Sequence, residues 1–391
     1  MPFTTRKAGT TFHTNTHIER RIDYAVSCKK PLIRIAKQLW NGDTSTIRIV
    51  GATDPGFEKF YEYYKMQQEL ADKSQERIIY QRIPCGKCIG CKLDYSKEWA
   101  TRCTLEASCY KHNWFITYTY DPYHVPKKDE FYDKEGHVFT EPANDHWSGY
   151  LEPEHIVLFH KRLRQYLLRQ YNHVGMRFFM CGEYGGPPKK LPGNRMSEGY
   201  RPHYHEIAFN MPIDIRKLKF VKMNEKGFPI FECDWLTNLW GMGIVTIQEF
   251  CWSAAAYTAR YCTKKITGEI APLHYLSKGQ TPEFVRMSRM PGIGHKFYEM
   301  HKGEIYDLDE IILKVGKEEV RSIKPAKYYD RLYDIEYPED MKRIKQIRKE
   351  KGEALERIKM SNTSLTLLKQ LELEERSLIE KTKSLRRDLI N

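Results

Sequence analysis

Three short segments in the middle of the chain carry apolar side chains in the pattern of β-strands. In 115–120, Phe115 and two threonines alternate with Ile116 and two tyrosines, and Pro122 follows the run. Side chains on a strand point alternately to its two faces, so this alternation predicts a strand. The runs 176–183 and 203–209 are equally short and rich in aromatic and other apolar residues. They predict two further strands.

Other segments repeat apolar residues at every third or fourth position, which is typical of helices that bury one side. The clearest case is 153–171, and similar spacing predicts helices at 94–110 and 253–265. The run 56–73 also has helical spacing. Because strands and helices are mixed along the chain, we predict the α/β (α+β) class.

Composition divides the chain into three predicted regions, 1–80, 81–315 and 316–391. The first is an N-terminal extension of mixed, polar composition. The second contains the predicted strands, together with a charged loop insertion at 123–150. The third is dominated by Lys, Arg and Glu, and we expect one or two charged helices there.

Three leucines recur at intervals of seven residues near the end of the chain, at Leu371, Leu378 and Leu385. One interpretation is an amphipathic helix that packs on the core. The other is a short helical pairing or DNA-clamping element. Three heptads are too few to predict a coiled coil.

The charge of the chain points to a polyanionic partner. Among 391 residues, Lys and Arg number 64 and Asp and Glu 51, which gives a formal net charge of +13. Such a surplus favours binding to nucleic acid through its phosphates. The first residues show no apolar run of a secretory signal, and no segment has the ~18 apolar residues of a membrane span. We therefore expect a cytoplasmic protein with no membrane partner.

The sharpest local pattern is the pair His203 and His205, separated by Tyr204 in the third predicted strand. On a strand these two imidazoles share one face and could chelate a divalent ion. Glu183 ends the preceding predicted strand and would reach the same ion if the two strands pair. Two imidazoles and a carboxylate leave positions open for water and phosphate oxygens. The alternative is two surface histidines and an ordinary carboxylate.

A second pattern places two tyrosines on one side of a predicted helix. Tyr257 and Tyr261 lie four residues apart, and Arg260, Lys264 and Lys265 supply positive charge beside them. A phenol is a weak nucleophile at neutral pH, but nearby cations favour its ionised form. The alternative is an aromatic pair that packs into the core, as most aromatic helix faces do.

Cysteines form a third pattern near the start of the middle region. Cys85, Cys88 and Cys91 are three residues apart, and Cys103 follows twelve residues later. Zinc takes four ligands, often from C-x2-C turns, so these four could form a closed structural site. The alternative is a set of reduced thiols.

In their order along the chain, these patterns resemble the HUH endonuclease superfamily of rolling-circle replication initiators. Within it, the chain is most similar to the initiators of single-stranded DNA phages of the gokushovirus branch of the Microviridae. The resemblance covers about residues 84–265. The segments that carry it are PCGKCIGC at 84–91, RCTLEA at 102–107, FITYTYDP at 115–122, CGEYG at 181–185, RPHYHEIAF at 201–209 and YTARYCTKK at 257–265.

The resemblance implies a fold and a metal site. The fold would be a ferredoxin-like (RRM-like) antiparallel sheet of about five strands with flanking helices, and 81–315 would be the endonuclease domain. His203 and His205 would hold Mg²⁺ or Mn²⁺. Glu183, which lies 20 positions before His203, would be the third ligand.

The resemblance also implies catalytic roles. Tyr257 and Tyr261 match the paired nucleophiles, and Lys264 matches a lysine that contacts the scissile phosphate or the metal-bound water. Arg201, Arg260 and Lys265 are the DNA-binding residues that we expect around them.

The activity implied is nicking of an origin in single-stranded or supercoiled DNA, which leaves a 5′-phosphotyrosine and a free 3′-OH. The ends are later rejoined to release circular DNA. The sequence has no G-x4-G-K-[ST] pattern of a fused helicase. A host helicase and DNA polymerase would then act in the cytoplasm of a bacterial host.

Two other functions fit part of the sequence. A non-catalytic, zinc-containing protein that binds single-stranded DNA or RNA would explain the charge and the cysteines. It would leave the histidine and tyrosine pairs as a coincidence. A metal phosphoesterase that uses water normally needs more ligands than these residues supply.

Overall fold

The structure is a computed structural model of the whole chain. It describes residues 28–38, 44–51, 54, 56–69, 77–127, 130–132, 138–140, 149–186, 190, 199–224, 227–261, 270–276, 279–314 and 320–387.

Strands and helices of the described residues are numbered in chain order. The strands are β1 (Leu32–Gln38), β2 (Thr44–Val50), β3 (Arg77–Ile83), β4 (Asn113–Tyr120), β5 (Glu130–Tyr132), β6 (Val138–Thr140), β7 (Arg177–Tyr184), β8 (Pro202–Phe209), β9 (Lys219–Met223), β10 (Pro229–Glu232), β11 (Gly243–Glu249), β12 (Phe284–Met287), β13 (Ile311–Lys314) and β14 (Val320–Ile323). The helices are α1 (Phe57–Glu69), α2 (Ile89–Ser108), α3 (Pro153–Tyr171), α4 (Asp234–Trp240), α5 (Trp252–Tyr261), α6 (Ile270–Leu276), α7 (His295–Leu308), α8 (Lys327–Glu336), α9 (Pro338–Ser361) and α10 (Leu367–Arg387).

The described chain forms two compact units. The larger unit comprises Ser96–Pro338, and the smaller unit combines Asp23–Tyr95 with Glu339–Asp388. These bounds follow contacts in space, and they do not coincide with the three regions that composition predicts along the chain. No described helix has the length and apolar character needed to cross a membrane.

The larger unit is built on a seven-stranded sheet with the order β12-β7-β8-β4-β11-β10-β9. All of its neighbouring strands are antiparallel. The predicted α/β class, with an antiparallel sheet and flanking helices, is confirmed. The sheet has seven strands where about five were expected. One added edge strand, β9, is exposed at all five positions and therefore shows no apolar alternation in the sequence.

Helices cover both faces of this sheet, which alternation along the strands makes possible. We call these faces the α3 face, packed by α3 and α4, and the α5 face, packed by α2 and α5. The α3-face core includes Ile116, Tyr118, Phe159, Leu163, Tyr204, Leu236 and Trp240. The α5-face core includes Ala100, Cys103, Phe115, Phe179, Ile207, Ala255 and Ala259.

Helix α3 has the bounds that its sequence predicts. Pro153 occupies the first turn, where a missing backbone N–H costs nothing. The Glu152 carboxylate caps the helix by accepting a hydrogen bond from the Glu154 N–H at 3.1 Å. At the other end, Asn172 adopts a left-handed conformation and its N–H bonds the Leu167 carbonyl. Local signals are therefore sufficient to define this helix.

Helix α2 is anchored by two residues of the RCTLEA segment. The Arg102 guanidinium lies between the rings of Trp99 and Tyr328, 4.2 and 4.1 Å from their centroids. It also donates two hydrogen bonds to the Ile293 carbonyl, at 2.9 and 3.0 Å. Glu106 is fully buried and bonds the Arg177 side chain and a backbone N–H. These contacts give that segment a structural role, since they hold α2 in place.

The smaller unit has a three-stranded antiparallel sheet, in the order β2-β1-β3. Its core joins residues of β1 and α1 to Leu367 and Leu371 of α10. The Arg82 guanidinium pairs with both carboxylate oxygens of Glu356 on α9, at 2.6 and 3.0 Å. Leu371 thus packs as the amphipathic-helix interpretation predicts. Leu378 is only partly buried, and the side chain of Leu385 lies outside the described residues.

Candidate functional site

The α5 face of the sheet brings the predicted metal ligands together. Strand β7 pairs with β8 so that Glu183 lies directly opposite His203, and Cys181 lies opposite His205. Strand β4 pairs with the other side of β8, with Thr117 opposite His205. The long gap in sequence between Glu183 and His203 is closed by this register, since paired residues on antiparallel strands are neighbours whatever the length of their connection.

The three side chains converge on one carboxylate oxygen. His203 Nε2 and His205 Nε2 each lie 2.9 Å from Glu183 Oε1. The ligand atoms of the three residues all lie within 4.8 Å of one another. Glu183 is 3% exposed and His205 6%, whereas His203 is partly exposed. Glu183 and His205 are therefore buried, and His203 is the member of the cluster that is nearest to solvent.

Glu183 is held in its charged form. Burial by itself would raise the pKa of this carboxyl, but the hydrogen bonds and positive charge of His203 and His205 outweigh it and lower the pKa to about 2. At neutral pH the carboxylate therefore offers a charged oxygen as a ligand.

The far nitrogen of each imidazole also has a partner. His203 Nδ1 donates to the Arg201 carbonyl oxygen at 3.0 Å, and His205 Nδ1 lies 2.9 Å from Thr117 Oγ1. In metal sites, such outer partners fix the tautomer so that Nε2 presents its lone pair to the ion. Thr117 was not singled out from the sequence as a site residue. The signal that could have found it is its place on the same face of β4 as Phe115.

Tyr257 stands beside this cluster. Its phenolic oxygen lies 3.4 Å from His205 Nε2, and its ring meets the His205 ring edge-on with centroids 5.1 Å apart. The Phe115 ring contacts it from another side, at 6.0 Å. Ala255 and Ala259, on the same helix, are fully buried against the sheet. Their packing holds α5 so that a half-buried phenol reaches the imidazole cluster.

Three tyrosines of β4 and β8 point to the other side of the sheet from the His–Glu ligands. Tyr118, Tyr120 and Tyr204 are buried in the α3-face core. Burial raises the pKa of all three phenols, so they resist ionisation. The Tyr120 and Tyr204 hydroxyls bond each other at 2.9 Å. These tyrosines have a structural role, which separates them from Tyr257.

Several predicted residues are only partly described. Tyr261 is the last residue of α5, but its side chain lies outside the described residues, as do Lys264 and Lys265. Arg260 lies on α5, partly exposed, and bonds the Ala256 carbonyl at 3.2 Å. Arg201 precedes β8 and bonds the Tyr120 carbonyl at 3.2 Å. Arg260 therefore lies on the helix that carries Tyr257, and Arg201 lies directly before the strand that carries the two histidines.

The cysteines group differently from the sequence prediction. Cys85, Cys88 and Cys91 come together with Cys28, and their sulfur atoms all lie within 4.8 Å of one another. Cys103 is fully buried in the α5-face core. It follows Cys91 by twelve residues on the same helix, about 18 Å of rise along the axis. One ion could not bind both, so Cys28 takes the place predicted for Cys103.

Glu183, His203 and His205, here called the His–Glu cluster, have the donor set of an open divalent-metal site. Two imidazole nitrogens and one carboxylate oxygen lie close enough to share an ion, and each imidazole is oriented from behind. Three protein ligands leave coordination positions for water or a phosphate oxygen. Together with an adjacent phenol, the arrangement could support chemistry at a phosphodiester.

Comparison with known proteins finds a family match in the same region of the chain as the site. Residues 113–266 match the family described as "Replication-associated protein ORF2/G2P". They contain all of β4, β7, β8 and α5, and hence the whole His–Glu cluster together with Tyr257. No solved structure matches the chain.

Individual relatives are phage proteins. The chain is 33% identical to the replication-associated protein ORF2 of Spiroplasma virus 4 over 270 residues, 69% of this chain and 73% of the relative. It is 26% identical to the replication-associated protein VP4 of Bdellovibrio phage phiMH2K over 288 residues, 71% of this chain and 73% of that protein. The replication-associated protein ORF4 of Chlamydia phage 1 is 26% identical over 189 residues, 47% of this chain and 38% of that protein. The chain therefore belongs to the replication-associated protein ORF2/G2P family.

Proposed function

We propose that this protein initiates rolling-circle replication of a single-stranded DNA phage by nicking and rejoining its origin through a tyrosine nucleophile. The observation that carries the proposal is the position of Tyr257, whose phenolic oxygen lies 3.4 Å from His205 Nε2 at the edge of the His–Glu cluster. The ring of Tyr257 packs against the α5-face core, but core packing alone does not require its hydroxyl to lie beside the imidazoles.

Glu183, His203 and His205 would hold a divalent cation. When bound there, Mg²⁺ or Mn²⁺ would polarise the scissile phosphate and offset its charge. Two imidazole ligands favour Mn²⁺ over Mg²⁺, because Mg²⁺ prefers oxygen ligands. The fit rests on the shared approach of three donor atoms and on the outer partners Thr117 and the Arg201 carbonyl.

Nicking is a transesterification at the scissile phosphorus. The Tyr257 phenolic oxygen attacks, the bond from phosphorus to the 3′ oxygen breaks, and a 5′-phosphotyrosine forms. The phenolic proton passes to solvent and the departing 3′ oxygen takes one up, so the exchange is balanced. The bond energy is kept in the phosphotyrosine, which allows the ends to be joined later without a further energy source.

Joining would use the second tyrosine. Tyr261 follows Tyr257 by four residues on α5, and residues at this spacing share one side of a helix. After one round of synthesis, Tyr261 would cleave the regenerated origin, and the released 3′-OH would attack the first phosphotyrosine and close a circle. Lys264 would contact the scissile phosphate in both steps.

DNA and host proteins complete the proposed reaction. Arg201, Arg260 and Lys265 would bind the phosphates of single-stranded or supercoiled origin DNA. A host DNA polymerase would extend the free 3′-OH, and a host helicase would unwind the duplex. All of this would take place in the cytoplasm of a bacterial host.

A covalent adduct tests the proposal directly. The purified chain is incubated with Mn²⁺ and single-stranded phage origin DNA labelled at its 3′ end, and products are separated under denaturing conditions. We expect label to migrate with the protein, and peptide mapping to place it on Tyr257 or Tyr261. Tyr257→Phe together with Tyr261→Phe should abolish the adduct.

The matched control is Tyr166→Phe. Tyr166 lies on α3 and stacks on Trp235 at 4.5 Å, on the opposite side of the sheet. It should give the wild-type amount of adduct. Cleavage without an adduct would instead indicate a phosphoesterase that uses water. Binding without cleavage would indicate a non-catalytic DNA-binding protein, and either result would contradict the proposal.

A further inference from the structure

The four-cysteine cluster lies in the smaller unit and has no part in the proposed nicking reaction. Cys28 precedes β1, Cys85 and Cys88 follow β3, and Cys91 lies in the first turn of α2. Two stretches of the chain that are distant in sequence, one at Cys28 and one at 85–91, therefore meet at this point. Cys28 and Cys88 are buried, at 2% and 5% exposed.

The distances between sulfur atoms fit one tetrahedral ion. Cys85 Sγ lies 4.0 Å from Cys91 Sγ, and Cys88 Sγ lies 3.9 Å from Cys28 Sγ. Four sulfurs about 2.3 Å from a central zinc ion would lie about 3.8 Å apart. Disulfides would need two pairs at about 2.05 Å, whereas here all four atoms lie within 4.8 Å of one another.

Backbone N–H groups surround the sulfurs as they would surround thiolates. Cys85 Sγ accepts from the N–H groups of Lys87 and Cys88, at 3.4 and 3.3 Å. Cys28 Sγ accepts from the Cys85 N–H, and Cys88 Sγ from the Lys29 N–H, both at 3.3 Å. Such donors stabilise negative sulfur more than neutral thiol.

A glycine makes the turn that carries two of these donors. Gly86 has φ +73°, in the left-handed region, where residues with a side chain are strained. This conformation brings the N–H groups of the next two residues back toward Cys85 Sγ. The C-G-K-C segment is thus shaped around the sulfur by its own backbone, as in the turns that bind zinc.

We infer that Cys28, Cys85, Cys88 and Cys91 form a structural zinc site. All four positions are filled by protein ligands, so no place is left for water or substrate and the site is closed. Binding converts four thiols to thiolates and releases their protons to solvent. The ion would tie the segment before β1 to the end of β3 and the start of α2.

Metal content tests the inference without any reference to DNA nicking. The full chain, purified under reducing conditions, should contain about one zinc ion that resists dialysis. Cys28→Ala should lose it, and Cys103→Ala should keep it, since Cys103 lies in the other core. A variant with both His203→Ala and His205→Ala should also keep it, which separates this site from the His–Glu cluster.

A cobalt spectrum distinguishes the loss of one metal ligand from a loss of metal that is caused by misfolding. Replacement of zinc by Co²⁺ in the wild-type chain should give strong thiolate-to-metal charge-transfer absorption and the visible bands of a tetrahedral ion. Cys28→His, which keeps a zinc ligand, should retain the visible bands with weaker charge transfer.

Three results would overturn the inference. They are iron in place of zinc, disulfides between these cysteines in the freshly purified chain, and equal loss of zinc from Cys28→Ala and Cys103→Ala.

Discussion

At the scale of single residues, Thr117 shows how a neighbour can prepare a candidate ligand. Its hydroxyl lies 2.9 Å from His205 Nδ1, directly across the strand pair. A hydroxyl that occupies Nδ1 leaves Nε2 toward Glu183 and Tyr257. Thr117 thus influences the tautomer of His205 without contacting the proposed ion.

Thr117→Val should weaken metal binding while the fold is kept. Valine has nearly the same shape but cannot bond Nδ1, and loss of such an outer partner typically costs about 10- to 100-fold in metal affinity. Binding of Mn²⁺ can be followed by the resonance signal of the free ion, with the Mn²⁺ dependence of nicking as a second measurement. Thr246→Val is the control, since Thr246 pairs with Thr117 one strand further from the cluster. Equal binding by wild type and Thr117→Val would exclude this role.

Glu106 allows a stability prediction on the same face of the sheet. It is fully buried on α2, where it bonds the Arg177 side chain and the Gly294 N–H. Glu106→Gln leaves the Arg177 charge without its counter-ion, so we expect a loss of about 3 kcal/mol in the free energy of unfolding. Urea denaturation measures it. Glu154→Gln, at an exposed position on α3, should change the free energy by less than about 1 kcal/mol.

Residue patterns predicted part of the site and missed part of it. His203, His205 and Tyr257 were found because each has a local signature, a strand pair or a helical spacing. Cys28 had none, because it is separated from Cys85 by 57 positions and only the fold brings them together. Cys103 was chosen in its place on spacing alone, which cannot show that a helix carries it away from Cys91.

At the scale of elements, a helix or strand could be predicted where its own sequence determines it, and not where its neighbours do. The bounds of α3 were predicted because its proline and its apolar spacing are local. Strand β10 was not predicted, since all four of its residues are half-buried and its pattern does not alternate. Such strands are defined by the neighbours that pair with them, which a sequence pattern does not contain.

The connection of α7 and α8 should be sensitive to acid. Lys302 on α7 bonds Glu336 at the end of α8 at 2.5 Å, and Tyr298 donates to the same carboxylate at 2.9 Å. The hydrogen bond from Lys302, the main cause, lowers the pKa of Glu336 below its ordinary value of 4.5. The stabilisation is therefore present above the ordinary pKa and is lost as pH falls through the lower, folded one.

Thermal melting at a series of pH values measures this effect. Wild type should be more stable than Glu336→Gln near neutrality, and the difference should shrink as the pH falls below about 4.5. The effect should be small because the pair is partly exposed to solvent, which screens its charges. The same substitution in a Lys302→Met background should lose most of its pH dependence. A difference that does not change with pH would show that this pair does not contribute.

At the scale of the whole molecule, the surplus of 13 positive charges should make DNA binding depend strongly on salt. A protein that contacts about six phosphates of single-stranded DNA would lose roughly two to three powers of ten in affinity between about 50 and 200 mM salt. Filter binding by the variant Tyr257→Phe with Tyr261→Phe measures affinity without cleavage. A flat salt dependence would contradict binding through phosphates.

One arginine can be tested within the same experiment. Arg260→Gln should reduce the slope of log affinity against log salt by about 0.7, the value of one single-strand phosphate contact. Arg162→Gln removes an equal charge from an exposed position on α3 and should leave the slope unchanged. Equal slopes for the two variants would place the DNA elsewhere on the molecule.

The pairing of Glu183 opposite His203 allows the sequence between these two residues to vary in length among related proteins. The hairpin register fixes the distance between carboxylate and imidazole, while the chain that connects the two strands is not constrained by it. Backbone hydrogen bonds continue the pairing as far as Gly186 and Tyr200. Insertions or deletions within 187–198 would then leave the ligand geometry intact. A sequence signature with a set number of residues at this point would overlook distant homologues that keep the same chemistry.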